Sequence, residues 1–252
     1  MAGVTIGWLY PGLMNIYGDR GNIICLQRRC EWRGLEVEVL SIGMGDRVTP
    51  DTADILFVGG GQDREQRLVA PDFRQVKGPG TRGAAEAGVA ILAVCGGYQL
   101  LGHEYRDADG TVLEGLGVLD LRTEPARPGE KRIIGNVVAE PTFPGSEGRP
   151  RLVGFENHGG RTILGDGCRP LARVVRGGGN NGRDGFEGCV SGNVFGTYLH
   201  GSVLPKNAWL ADLLIERGVR RRDPGFTLEP LDDALEVSAR TAAEHRALSV
   251  RW

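Results

Sequence analysis

Two short runs in this chain are apolar at every position, and each leads into glycines, the second by way of a cysteine. Ile55-Leu56-Phe57-Val58 leads into Gly59-Gly60-Gly61, and Ala90-Ile91-Leu92-Ala93-Val94 leads into Cys95-Gly96-Gly97. A strand with apolar side chains on both faces must be covered on both faces, which is the situation inside a parallel sheet flanked by helices. The neighbouring segments agree. Residues 4–10 read as a buried opening strand. Residues 23–33 have helical spacing, with Ile23, Leu26, Gln27 and Cys30 on one face and Gly34 placed to end the helix. Residues 35–42 alternate apolar and polar as a strand, and residues 83–88 read as the end of another helix. The expected fold class is therefore α/β, with an open, mostly parallel sheet and helices on both faces.

From about residue 111 the pattern changes. Strand-like pieces at 117–121, 133–139, 152–155, 171–175 and 185–190 are separated by Gly, Pro and Asn, which predicts meander-like β structure on the same core. Residues 194–199 form another apolar strand ending at His200-Gly201, and 206–217 an amphipathic helix with Leu210, Leu213 and Leu214 inward. The expected organisation is one domain over residues 1–222. A charged, Ala-rich tail follows over 223–252, partly helical and loosely attached.

Charge excludes some functions. With 30 basic and 32 acidic residues there is no overall basic field for nucleic acid. The Arg220-Arg221-Arg222 run reads as a solvated helix end. No stretch of 18 apolar residues suggests a membrane span, and the first residues lack a basic, apolar leader. Five cysteines without framework spacing suggest reduced thiols and a cytoplasmic setting. Cys25 and Cys30 lack zinc-ligand spacing, so no metal is expected, and nothing calls for a cofactor.

Cys95 is the residue richest in chemical meaning. It sits where an apolar strand meets two glycines and a helix-forming segment, the setting of an exposed nucleophile on a sharp turn. A buried core cysteine is the other reading. The Gly59-Gly60-Gly61 turn, also at a strand end, is placed to offer a backbone N–H to an oxyanion. His200, at the end of a later strand, is placed to deprotonate Cys95. His103 falls about two turns into the helix after Cys95 and His245 in the tail, so neither suits that role. His158 lies in Phe155-Glu156-Asn157-His158-Gly159-Gly160, either a substrate loop or a plain turn.

Together, Cys95-Gly96-Gly97-Tyr98-Gln99, the earlier Gly-Gly-Gly turn and Tyr198-Leu199-His200-Gly201 resemble class I glutamine amidotransferases, in their cobyric-acid-synthase-like branch. Four further stretches are similar to GatD-type glutaminase subunits: Tyr10-Pro11 with residues 14–22, Gly59-Gly60-Gly61-Gln62-Asp63, Lys131-Arg132-Ile133-Ile134-Gly135-Asn136 and residues 154–160. The likeness covers residues 4–218. It implies a flavodoxin-like architecture and hydrolysis of L-glutamine. It also implies a heterodimer with a MurT-like Mur ligase, which uses the ammonia to amidate the D-glutamate α-carboxylate of the lipid II stem peptide.

The resemblance also implies roles. Cys95 forms a thioester, His200 moves the proton, and the N–H groups of Gly60 and Gly96 hold the oxyanion. Arg132 pairs with the substrate α-carboxylate, its other reading being a solvated surface arginine. Asn157 and His158 shape the pocket through backbone contacts. One departure stands out: many relatives have His-Pro-Glu where this chain has His200-Gly201-Ser202, so the acid that orients the imidazole is missing. An acid from the ligase, or Asp19 or Glu156 in cis, would fill the place. A corrinoid-synthesis amidotransferase and a non-catalytic interaction subunit are the competing readings.

Overall fold

The opening apolar run forms strand β1 (Gly3–Leu9) in a computed structural model that describes residues 3–200 and 202–249. Gly201, part of the motif after His200, and tail residues 250–252 lie outside the described residues. The first half continues as α1 (Arg20–Glu31), β2 (Glu36–Ile42), β3 (Ile55–Val58) and α2 (Asp63–Asp72). A single π turn, Phe73–Lys77, leads from α2 into α3 (Gly78–Glu86), then β4 (Ala90–Val94) and α4 (Gly96–Leu101). The second half adds β5 (Glu104–Arg106), β6 (Val112–Glu114), β7 (Leu121–Glu124), β8 (Ile133–Pro141), β9 (Leu152–His158), β10 (Arg161–Leu164) and β11 (Ala172–Arg176). It closes with β12 (Phe186–Glu187), β13 (Cys189–Ser191), β14 (Val194–Thr197), α5 (Val203–Lys206), α6 (Ala208–Arg220) and α7 (Ala234–Ser249).

Six strands form the main sheet in the order β13-β14-β4-β3-β1-β2, all parallel except β13. Every residue of β3 and β4 is buried, as their apolar runs require. β1 pairs with β2 on one side and β3 on the other, so the order reverses between β1 and β3, where open α/β sheets place their ligand crevice. Asp19 follows β1, Gly59 follows β3, Cys95 follows β4 and His200 follows β14, all at the carboxyl edge. Helix α4 rests directly on the end of β3: a Cβ at Gly97 would lie 2.7 Å from the Val58 carbonyl oxygen.

The second half departs from the expected meander. Eight of its strands form two separate four-stranded sheets, β10-β7-β5-β6 and β12-β11-β8-β9, while β13 and β14 belong to the main sheet. The piece expected at 117–121 starts later, as Leu121–Glu124. The piece at 185–190 splits, and β13 joins the main sheet. Gly188 makes the break, at φ 63° with a Cβ position 2.5 Å from Gly196 O, a place no larger residue fits. The helical stretch of α2, the π turn and α3 is masked in the sequence by Pro71 and by Gly78, Gly80 and Gly83.

Against the expectation of a loose tail, the tail is tied down. Arg29, 1% exposed, donates to both oxygens of Asp212 (2.5 and 2.6 Å) and both oxygens of Asp233 (2.8 and 2.9 Å). Within α7, Ala247 is buried, and Glu244 joins Arg240 (2.8 Å) to Arg151 (3.3 Å). The arginine run is also engaged: Arg220 pairs with Glu216, Arg221 with Asp51 and Arg222 with Asp54. Among the described residues no helix is long and apolar enough to cross a membrane.

Candidate active site

Cys95 occupies the turn between β4 and α4 at φ 49° and ψ −104°. A non-glycine residue held there costs about 1–3 kcal/mol and persists only when its surroundings force it. Here they do. Cys95 N donates to Thr197 O (2.8 Å), Gln99 N donates to Cys95 O (2.9 Å), and Gly97 N donates to Gly59 O (3.1 Å). Helix α4 then stops at Leu101, so His103 lies beyond it, not two turns within it, and its ring pairs with exposed Asp120 at 3.0 Å.

His200 reaches Cys95 from the end of β14. Its backbone is fixed by a bridge to β9, with His200 N donating to Phe155 O at 2.6 Å. The ring is fully buried and faces Cys95 and Asp19, with Nδ1 3.8 Å from Asp19 Oδ1. That is too long for a hydrogen bond, and neither ring nitrogen finds a partner at ordinary length. Burial alone would lower the imidazole, but the charges of Cys95 and Asp19 outweigh it and push it up to about 10. An imidazolium held beside a thiol suits a thiolate–imidazolium pair.

Cys95 is only 5% exposed, more buried than the exposed nucleophile expected of such a turn, and lines a cavity of about 430 Å³ whose lining also includes Gly61, Asp63, Gln66, Gln99, Tyr105, Arg132 and His158. Arg132 stands at the mouth. Its Nε donates to Asn157 Oδ1 (2.6 Å) and its Nη2 to Asn157 O (3.0 Å). His158 is buried and stacks on Tyr198, the rings 3.6 Å apart and 7° from parallel. Burial holds its imidazole down at about 3, so it stays neutral. A larger cavity, about 560 Å³, lies at the amino ends of β1 and β2 and has no thiol or imidazole among its lining residues.

Residues 5–208 match the CobB/CobQ-like glutamine amidotransferase domain. The chain belongs to that family. It is 41% identical to the GatD subunit of a lipid II isoglutaminyl synthase (glutamine-hydrolyzing) from Staphylococcus aureus (strain N315), over 97% of this chain and 96% of that one. A cobyric acid synthase from Pelotomaculum thermopropionicum is 46% identical, but over 60% of this chain and 30% of that protein. The fold is shared with the structure of PurLQS from Thermotoga maritima, at TM-score 0.57 and 21% identity, covering 87% of this chain and 96% of that one.

In this CobB/CobQ-like site one expected oxyanion donor is spoken for. Gly60 N donates to Asp19 Oδ2 at 2.6 Å, because the loop after β1 brings a fully buried carboxylate against the Gly-Gly-Gly turn. The Gly61 nitrogen lies beside Gly96, 3.0 Å from where a Gly96 Cβ would be, and among the described residues it meets no acceptor. The two cis acids also separate. Asp19 faces His200, whereas the Glu156 carboxylate is occupied by Gly178 N (2.6 Å) and Gly179 N (2.8 Å). Asn157 and His158 make side-chain hydrogen bonds within the wall, Asn157 donating its Nδ2 to Tyr17 OH (2.9 Å) and His158 Nδ1 lying 2.9 Å from Gly160 O.

Gln66 and Tyr105 carry no sign of the site in the sequence, and Tyr17 and Asp63 stand there only within motifs, with no role of their own. Tyr17 falls inside a motif whose residues carry no local sign of what they face, and Asp63 and Tyr105 meet only in three dimensions, at 2.9 Å. A buried hydroxyl chain was equally hidden: Thr123 meets Thr162 (2.8 Å), Thr162 meets Tyr198 OH (2.7 Å), and Gln99 Nε2 donates to that phenol (3.1 Å).

Proposed function

We propose that this chain is the glutaminase subunit of a lipid II isoglutaminyl synthase, working in the cytoplasm beside a MurT-like ATP-dependent ligase. The strained Cys95 turn facing a buried His200 carries this reading, and the end-to-end likeness to a GatD subunit supports it. The match to a cobyric acid synthase spans under a third of that protein, which favours the cell-wall reading over the corrinoid one. All five cysteines are free, in keeping with a reducing compartment.

In this mechanism the Cys95 thiolate attacks the side-chain carbonyl of L-glutamine. The developing oxyanion lies against the N–H groups of Gly61 and Gly96. His200, as imidazolium, gives its proton to the departing nitrogen, and ammonia leaves a thioester on Cys95. His200 then takes a proton from water, which hydrolyses the thioester to glutamate. Asp19 sets the orientation of His200 in cis, the reading favoured by a ring sealed from solvent with Asp19 at its Nδ1 side. Arg132 pairs with the substrate α-carboxylate in a two-oxygen fork. Ammonia passes to the ligase, which converts the D-glutamate α-carboxylate of the stem peptide to D-isoglutamine.

The test is ammonia release from glutamine by the purified chain, alone and with the ligase. Cys95→Ser should lower the rate by about 10³-fold or more while leaving the circular dichroism unchanged. Folded wild-type protein that releases no ammonia in either condition, and whose Cys95 takes no label from a glutamine-analogue affinity reagent, would move the reading to a non-catalytic subunit.

A further inference from the structure

One residue touches both halves of the site and has no role in the chemistry described so far. Tyr17 sits in the loop between β1 and α1 at φ 53°, a backbone conformation that a bulky side chain rarely adopts. The loop is braced on both sides of it: Arg20 N donates to Asn15 Oδ1 (2.8 Å) and Asp19 N to Ile16 O (3.2 Å). The strained backbone sends the ring over His200, edge to face, with centroids 5.0 Å apart and planes at 71°. Its hydroxyl, on the far side, accepts from Asn157 Nδ2, and Asn157 in turn receives two hydrogen bonds from Arg132. Asn157 therefore has both ends of its amide fixed, and Arg132 is aimed by a residue that leans on the cover of His200.

We infer that Tyr17 is a positioning residue that couples carboxylate recognition at Arg132 to the orientation of His200. The inference rests on the glutaminase reading. The ring limits the tilt of the imidazole and shields it from water, and the hydroxyl keeps Asn157, and through it Arg132, in the geometry a carboxylate needs.

Two variants separate the two jobs. Tyr17→Phe keeps the ring and removes the hydroxyl. It should raise KM for L-glutamine about tenfold with kcat within about twofold. On glutamine α-N-methylamide, whose carboxylate is masked, it should match wild type. Tyr17→Leu removes the ring. It should also shift the pH profile of Cys95 alkylation by iodoacetamide by about half a unit or more, whereas Tyr17→Phe leaves that profile in place. An equal loss on both substrates with Tyr17→Phe, or an unchanged alkylation profile in folded Tyr17→Leu, would overturn the inference. Alkylation needs neither substrate nor ligase. If wild type released no ammonia, the glutaminase reading would fall while this arm still decided whether Tyr17 governs His200.

Discussion

The floor of the cavity and its wall are built by different means. The floor, Cys95 with Gly61 and Gly96, stands on parallel strands whose every residue is buried, and its backbone is held by bonds between neighbouring strand ends. The wall, Arg132 with Asn157 and His158, stands on the antiparallel pair β8 and β9, where Ile133 lies opposite His158 and Ile134 opposite Asn157. The floor concentrates strain at one residue, while the wall spreads its geometry over hydrogen bonds of exposed Arg132 and half-buried Asn157, with His158 buried beside them. In the proposed reaction chemistry falls to the rigid part, and recognition to the part that side-chain changes can retune without disturbing the core.

If that division is right, damage to the floor should appear in kcat and damage to the wall in KM. After Cys95→Ser, the largest effect belongs to Asp19→Asn. Asparagine still accepts from Gly60 N but cannot face His200 with a charge, so kcat should fall by about 10²-fold or more. A loss under about threefold in the ligase complex would mean that the partner supplies the orienting acid. Next comes Arg132→Lys, which replaces a planar fork with a point charge. KM for glutamine should rise by about 10- to 100-fold with kcat little changed, and a fall confined to kcat would break the division.

Glu187 gives the smallest and most informative test, because it joins wall to floor. From β12 its Oε1 accepts from Thr197 Oγ1 (2.5 Å) and Tyr198 N (2.9 Å), beside the strand end that leads to His200. Burial raises its carboxyl from 4.5 to about 7, more than the bonds from Thr197 and Tyr198 lower it. Between those values the folded chain holds a proton that the unfolded chain has released. Its contribution to stability is thus complete below about pH 4.5 and lost as pH climbs through about 7. Glu187→Gln keeps an acceptor and cannot ionise. Urea titrations at pH 5 and pH 8 should show wild type losing on the order of 1–3 kcal/mol more than the variant across that interval. Parallel pH curves would show that Glu187 does not ionise on this path.

The floor was far more legible than the wall. An apolar run followed by glycines is a local pattern, and it led directly to β3, β4, the Cys95 turn and the parallel sheet. The partition of the second half into two sheets depends on pairings such as Arg161 with Glu124 and Ala172 with Pro141, which local spacing does not encode. The engagement of Gly60 N was not legible for the same reason. Nothing near Gly60 in the chain shows that Asp19, 41 positions away, takes its N–H. Arg132, Asn157 and His158 stand in motifs of the sequence, and the structure brings them together at one cavity wall. Their connection through Tyr17 was not legible, because Tyr17 and Asn157 are 140 positions apart.

The guanidinium of Arg29 has a consequence for anyone handling this chain at the bench. Asp233, one of its two carboxylate partners, belongs to the segment that looks most dispensable on paper. Trimming the protein after residue 222 to obtain a smaller crystallisation target would remove that carboxylate from a nearly solvent-free arginine. The shortened product would behave as an interior charge mutant, with poor yield and a lowered melting temperature, and not as a tidied domain. Affinity tags and reporter fusions are better attached beyond Ser249, where α7 ends.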